Sequence, residues 1–216
     1  TYSGAGHSRP SKDAEIKLFV NTMIAAYNAG VTAPSVSFKD KSGSKIQSVY
    51  MLYDPVNHIV LDDKNNGTIS VNFQADDYNI LAGGQQLCVE FYKSCADDTS
   101  GAISVDGITG KVLRLKTDGE DGLKITDSNG NVILPIERNG VMNCYPITNG
   151  ATYTLKYSSD EMGLFRTDTS GTILNEGAQA STIYARVYTV YDNGSKVTPC
   201  GIAELSISAQ ELFELD

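Results

Sequence analysis

Residues 182–191 read TIYARVYTVY, and the residues take sides in strict alternation. Ile183, Ala185, Val187 and Thr189 fall on one face of an extended chain, and Tyr184, Arg186, Tyr188 and Val190 on the other. A period of two is that of a β-strand whose two faces meet different surroundings. A second run of the same kind, Ile202 to Ile207, follows closely, so the chain ends on a pair of long strands.

The same period recurs upstream. Val49, Met51 and Tyr53 alternate with Tyr50 and Leu52. Ile69, Val71 and Phe73 alternate with Ser70, Asn72 and Gln74, and Leu87, Val89 and Phe91 with Cys88, Glu90 and Tyr92. Shorter versions lie at 111–115, 122–126, 132–136 and 152–157. Between these runs stand five Asn-Gly dipeptides, at Asn66, Asn129, Asn139, Asn149 and Asn193, a pair suited to turns that need positive φ. Short strands with such turns, and no second helical pattern, predict antiparallel sandwiches and not a parallel sheet. The expected fold is mainly β: an immunoglobulin-like antiparallel β-sandwich, or two, with one N-terminal α-helix.

That helix is predicted over Ser11 to Gly30. Ser11 can cap the first free amides, Asp13 and Glu15 sit near the positive end of the dipole, and Gly30 stands where the chain must leave the helix. Ile16, Phe19, Val20, Met23, Ile24 and Tyr27 recur at the three-and-four spacing of one face, and Leu18, Ala25 and Ala26 widen it. Such a face is expected to be buried against the sandwich or against a neighbouring chain, since exposing each large residue costs roughly 1.5–3 kcal/mol.

Pro34 disfavours helix at Ala33 and opens an extended segment, which places a boundary near residue 32. The expected organisation is a strand-turn-helix piece over 1–32 and a β-sandwich region over 33–216. Polar breaks near 97–104 and 163–180 leave open whether that region is one module or two. A length of 216 residues with 41% hydrophobic content can bury one or two cores and excludes disorder. The net charge of -9 opposes binding to nucleic acid or to an anionic membrane, and no apolar run is long enough to span a bilayer.

Candidate chemistry is sparse. His7, in the turn-forming TYSGAGH stretch, has no nucleophile or carboxylate near it in sequence and reads as a turn residue. Cys88, Cys95, Cys144 and Cys200 form no CxxC or cysteine-histidine cluster, so a zinc site is not expected; they read as unpaired thiols, with a Cys88–Cys95 bridge as the alternative. Acidic pairs occur at Asp62-Asp63, Asp76-Asp77 and Asp97-Asp98, with a further cluster at Asp118, Glu120 and Asp121. Asp62 to Phe73 mimics a calcium loop but puts Lys64 at a ligand position and Phe73 in place of the closing glutamate. Asp76, Asp77 and Asn79 at a strand end are the better candidates for calcium; otherwise no cofactor is expected. No GxSxG, HExxH, phosphate-loop or dinucleotide motif is present. Tyr184 and Tyr188 are the candidate binding residues, as exposed rings that could stack on sugars, with cross-strand packing the other reading.

The run SGAGH followed by RPSKDAEIKLFVNTMIAAYNAG resembles the closing strand and helix of an uncharacterised domain family on large secreted proteins of Gram-positive bacteria. That ending is in turn similar to the last strand-turn-helix of trehalose-utilisation and class I glutamine-amidotransferase-like domains, which are flavodoxin-like. The resemblance covers about the first thirty residues. It implies that the strands and any nucleophile of such a domain lie upstream of Thr1, and that only His7 could carry a role over. GLKITDSNGNVI and PITNGATYTLKY, within 122–157, resemble the small β-sandwich repeats of Gram-positive adhesins. Together these imply a non-enzymatic, extracellular or cell-surface segment that spaces, scaffolds or adheres, with a protein or glycan as partner. The alternative is a carbohydrate-binding accessory region of an upstream hydrolase or amidotransferase-like enzyme.

Overall fold

Strands with one apolar face are stable only when those faces meet, and this chain brings them together in two sheets. The computed structural model describes residues 13–29, 33–54, 59–61, 68–77, 85–94, 101–114, 123–138, 141–158, 179–191 and 196–211. One helix, α1 (Asp13–Ala29), precedes the strands. The first sheet has the order β2 (Lys45–Ile46), β1 (Ser35–Lys39), β5 (Thr68–Asp76), β12 (Thr152–Ser158) and β9 (Lys124–Thr126). The second runs β10 (Ile136–Arg138), β11 (Val141–Ile147), β6 (Gln86–Ser94), β13 (Gln179–Tyr191), β15 (Gly201–Glu211), β3 (Ser48–Asp54) and β4 (Ile59–Leu61). Beside it β14 (Lys196–Val197) pairs with β13, and β8 (Ile108–Val112) pairs with both β6 and β7 (Ile103–Val105). The expected mainly β, antiparallel sandwich with one N-terminal helix is therefore what forms. The parallel pairing of β15 with β3 is an exception to its antiparallel ladders.

The core follows the alternation. Phe38, Val71, Phe73, Ile125, Leu155 and Tyr157 from the first sheet meet Val89, Phe91, Tyr145, Ile183, Val187 and Leu205 from the second. This one cluster draws on residues from Phe38 to Ile207, and the stretch between the two expected breaks supplies strands to both sheets. Leu87, Val89 and Phe91 are inside, and Ile183, Ala185 and Val187 lie on the same inner face of the adjacent strand, as the sequence pattern requires.

Turn chemistry closes the edges. Asp40 Oδ1 accepts from the amides of Ser42 (2.8 Å) and Ser44 (2.9 Å), and Asp127 Oδ1 from those of Asn129 (2.9 Å) and Asn131 (2.8 Å). In each loop the glycine three residues after the aspartate takes the left-handed conformation, φ 87° at Gly43 and 84° at Gly130. The same D-x-[SN]-G-[SN] loop thus adjoins the short strands at both edges of the first sheet, β2 and β9, and short edges limit unwanted pairing. At Asn129-Gly130 and Asn149-Gly150 only the glycine has positive φ. The dipeptide with both residues positive is Asp106-Gly107, φ 48° and 85°, which closes the two-residue hairpin β7–β8. The Asn-Gly pairs at 66, 139 and 193 lie outside the described residues.

The helix forms, and of the two expected covers for its apolar face the sandwich does not supply one among the described residues: Leu18 is 68% exposed and Phe19 57%, and Ile16, Val20 and Met23 are exposed too. Periodicity located the face without locating a partner for it. Strand β11 was not anticipated, because VMNCYPI alternates poorly.

At Gly201 the backbone of β15 comes close to the chain entering β1. A Cβ there would collide with the buried carbonyl oxygen of Pro34. Backbone cannot yield as a flexible side chain does, so Gly201→Ala should cost about 1–3 kcal/mol, with β1 and β15 forced apart. Urea denaturation of the variant checks this, and an unchanged midpoint would show that the two strands separate freely.

Candidate functional site

With the apolar residues of β6 and β13 turned inward, their intervening residues share the outer face of the second sheet. Cross-strand register sets Tyr92 beside Tyr184, Glu90 beside Arg186, and Cys88 beside Tyr188. From the other side, β11 brings Cys144. Its pairing with β10 shifts register between Ile136 and Glu137, leaving Asn143 as the extra residue of a β-bulge. The bulge explains why consecutive residues serve one cluster: Asn143 hydrogen-bonds Tyr92, and Cys144 contacts Cys88 and Tyr188. Cys88, Cys144, Tyr188 and Val190 form a second buried cluster, with Cys200 packed against it.

Glu90 is the buried charge at its centre. Its Oε2 accepts from the Tyr92 hydroxyl at 2.5 Å and from Arg186 Nη1 at 2.8 Å, and its Oε1 accepts from the Tyr188 hydroxyl at 2.9 Å. Arg186 also reaches outward, donating from Nε at 2.7 Å to Asp106 Oδ2, with Nη2 2.6 Å from the same oxygen. The hairpin tip is thereby latched over the sheet. The Arg186 guanidinium lies 5.0 Å from the Tyr188 ring centroid and that of Arg138 5.9 Å, so the ring face meets two cations.

Burial, together with the adjacent Glu90 carboxylate, pushes the Tyr92 hydroxyl up. Burial and the contacts with Cys144 and Glu90 do the same to Tyr188. The Arg186 hydrogen bond holds Asp106 below the usual carboxylate range. Between the thiols, donation by Cys88 lowers Cys144, and the same contact together with burial raises Cys88. Burial, opposed by the Arg186 charge and reinforced by contact with Asp106, pushes the Cys200 thiol up to about 12.

The residues singled out in the sequence fall differently. Tyr188 is on the outward face as alternation requires, but it is 3% exposed with its hydroxyl on Glu90, which is the packing reading of this ring and not the stacking one. Tyr184 is partly exposed. Asp76 and Asp77 are not brought together: Asp77 turns inward to accept from Thr189 Oγ1 at 2.5 Å, and Asp76 turns outward, within reach of Gln74 Nε2. Asn149 further clamps the Asp77 backbone, accepting from its amide at 2.7 Å and donating to its carbonyl at 3.0 Å. Asn79, His7 and Cys95 lie outside the described residues, as do Asp62, Asp63, Asp97, Asp98, Asp118, Glu120 and Asp121. Among the described residues, no group of three or more histidine, cysteine or acidic side chains could hold a metal ion. Sequence reasoning missed Glu90, Arg186 and Asp106 as a set. The available signal was Glu90 and Arg186, one acid and one base on the outward faces of the two most regular strands.

Two predictions follow from this geometry. Arg186→Met leaves Glu90 charged and buried, and should cost about 3–5 kcal/mol. Adding Glu90→Gln removes the stranded charge and should recover a large part of the loss; strict additivity of the two changes in urea denaturation would refute the coupling. For Asp106 the folded state binds its proton less readily than the unfolded chain does. Its contribution is therefore complete above the unfolded carboxylate pKa of about 4 and is lost as pH falls through the lower folded value. Its side chain is 47% exposed, so Asp106→Asn should cost less than about 1 kcal/mol at neutral pH, a difference that closes on acidification.

No protein-family model and no curated protein matches this chain. Among solved structures it is similar to one described as "Structure or murine CRIg", from mouse, at 10% identity over 82% of this chain and 98% of that one, with a TM-score of 0.33. It is also similar to one described as "BspA_C_WT", at 14% identity over 81% of this chain and 49% of that one, with a TM-score of 0.32.

Proposed function

We propose that this chain is a non-enzymatic, extracellular β-sandwich segment of a larger bacterial surface or secreted protein, and that it acts as a spacer, scaffold or adhesion module. The observation that carries the reading is the fate of the buried carboxylates. Both that are buried among the described residues, Asp77 and Glu90, have oxygens turned to internal donors: Thr189 for Asp77, and Tyr92, Arg186 and Tyr188 for Glu90. A carboxylate used in acid-base chemistry must reach a substrate proton; these hold the sandwich together instead. The exposed apolar face of α1 supports the larger-protein part of the reading, because a helix that closes a preceding flavodoxin-like domain has its own core elsewhere. No helix among the described residues is long and apolar enough to cross a membrane. With Tyr188 enclosed, Tyr184 is the one of the two candidate rings that stays partly exposed, and it is the one available to the carbohydrate-binding alternative.

The purified chain should hydrolyse no glycoside or amide, and Glu90→Gln should lower its melting temperature with no activity to lose. Turnover abolished by Glu90→Gln at unchanged stability would overturn the non-enzymatic reading. A glycan-array signal abolished by Tyr184→Ala would move the assignment to the carbohydrate-binding alternative.

A further inference from the structure

The thiol pair on the outer face of the second sheet has a chemistry that the sandwich does not need. Cys88 and Cys144 are both fully buried, belong to one cluster and contact each other through their side chains. They lie on adjacent strands: β11 pairs with β6 through Tyr145↔Val89 and Pro146↔Cys88, so Cys144 is the diagonal neighbour of Cys88 on the same face. In a regular ladder a diagonal pair is too widely spaced for a disulfide, whose Cβ atoms must approach to roughly 3.5–4.5 Å. Here Cys144 lies just beyond the last residue of β11 paired with β6, so the regular spacing of that ladder does not fix its distance from Cys88, and the two side chains are in contact.

We propose that Cys88 and Cys144 form a cross-strand disulfide when the chain meets a small-molecule disulfide, stapling β11 to β6 over the outer face of the second sheet. The reaction is thiol–disulfide exchange. Cys144, as the thiolate, attacks one sulfur of oxidised glutathione; the S–S bond of glutathione breaks, one glutathione leaves, and Cys144 carries the other as a mixed disulfide. Cys88 then gives up its proton and attacks the Cys144 sulfur, forming the Cys88–Cys144 bond and expelling the second glutathione. Two protein thiols are oxidised by two electrons, one glutathione disulfide is reduced to two thiols, and both protons leave with them. Donation from the Cys88 S–H and contact with the Tyr188 hydroxyl hold Cys144 in its more acidic state, which assigns it the first attack. Burial makes that attack wait on local opening of the cluster. The chemistry belongs to the pair and does not rest on the extracellular assignment, although an oxidising compartment is where such a bond persists.

The test uses the full chain, reduced, desalted and incubated with graded ratios of oxidised to reduced glutathione, then alkylated under denaturing conditions and mapped by peptide mass spectrometry. The expected result is a linked Cys88–Cys144 peptide with a loss of two hydrogens, reversed by dithiothreitol. Closing a loop of this length should raise the melting temperature by about 5–10 °C. Cys200→Ser should leave both results intact, and Cys88→Ala or Cys144→Ala should abolish them, with the glutathione adduct accumulating on Cys144 in the Cys88→Ala variant. Linkage of Cys88 to Cys95, adducts with no intramolecular bond, or thiols still alkylated after prolonged oxidation would each overturn the proposal. If either alanine variant fails to fold, the wild-type peptide map decides the matter alone.

Discussion

The sandwich depends on an aromatic contact that joins its two sheets and on the rings that flank it. Phe73 of β5 meets Phe91 of β6 edge-on, with ring centroids 5.2 Å apart and an interplanar angle of 74°. Tyr153 of β12 stacks on Phe73 at 5.7 Å, and Tyr145 of β11 lies 6.2 Å from Phe91. Four strands from both sheets are thus fixed to one another by rings that bury large areas and prefer this edge-to-face and offset geometry. Once Phe73 and Phe91 face inward, the pleat leaves no choice about their neighbours. Glu90 and Tyr92 must face outward from β6, and register carries Arg186 and Tyr188 to the same side. The charged cluster on the outer face is a consequence of the aromatic core.

An outward face is not the same as a wet one, and this is where sequence reasoning reached its limit. Alternation in TIYARVYTVY assigned Ile183 through Val190 to the faces they take. It could not show that a hairpin of the same second sheet would be latched over that face, nor that Arg138 from the edge strand β10 would lie against Tyr188. The helix shows the same limit in reverse: its apolar stripe was legible at the three-and-four spacing, and what was not legible was the absence of a cover for it within the described chain. Hydrophobic periodicity reports orientation relative to an element's own axis, whereas burial depends on long-range contacts.

Other misses have local causes. β11 was invisible because Asn143 breaks the period of two, and the residue that follows the break, Cys144, is the one that meets Cys88. Asp76 and Asp77 looked like a pair of ligands because they are adjacent, yet adjacency on a strand sends side chains to opposite faces. The pattern that located β5 therefore already argued against their convergence. Tyr157 carries a different lesson. Its hydroxyl is buried without a hydrogen-bond partner among the described residues, and burial alone pushes it up. Alternation located the strand that carries this ring but said nothing about its oxygen.

The choice of arginine at 186 is the step that connects core, face and hairpin. Glu90 and Asp106 lie on different elements, and Arg186 serves both at once, Nη1 to Glu90 and Nε with Nη2 to Asp106. A lysine offers one point charge on a flexible stem and would have to choose; the planar fork, with its donors at fixed angles, holds the two carboxylates in a fixed relation. In a chain with a net charge of -9, two neighbouring acids would otherwise drive the hairpin away from the sheet. The left-handed conformation of Asp106, required by the two-residue turn, is what presents its carboxylate at the tip, so a local constraint of the turn becomes the long-range constraint that closes the cluster.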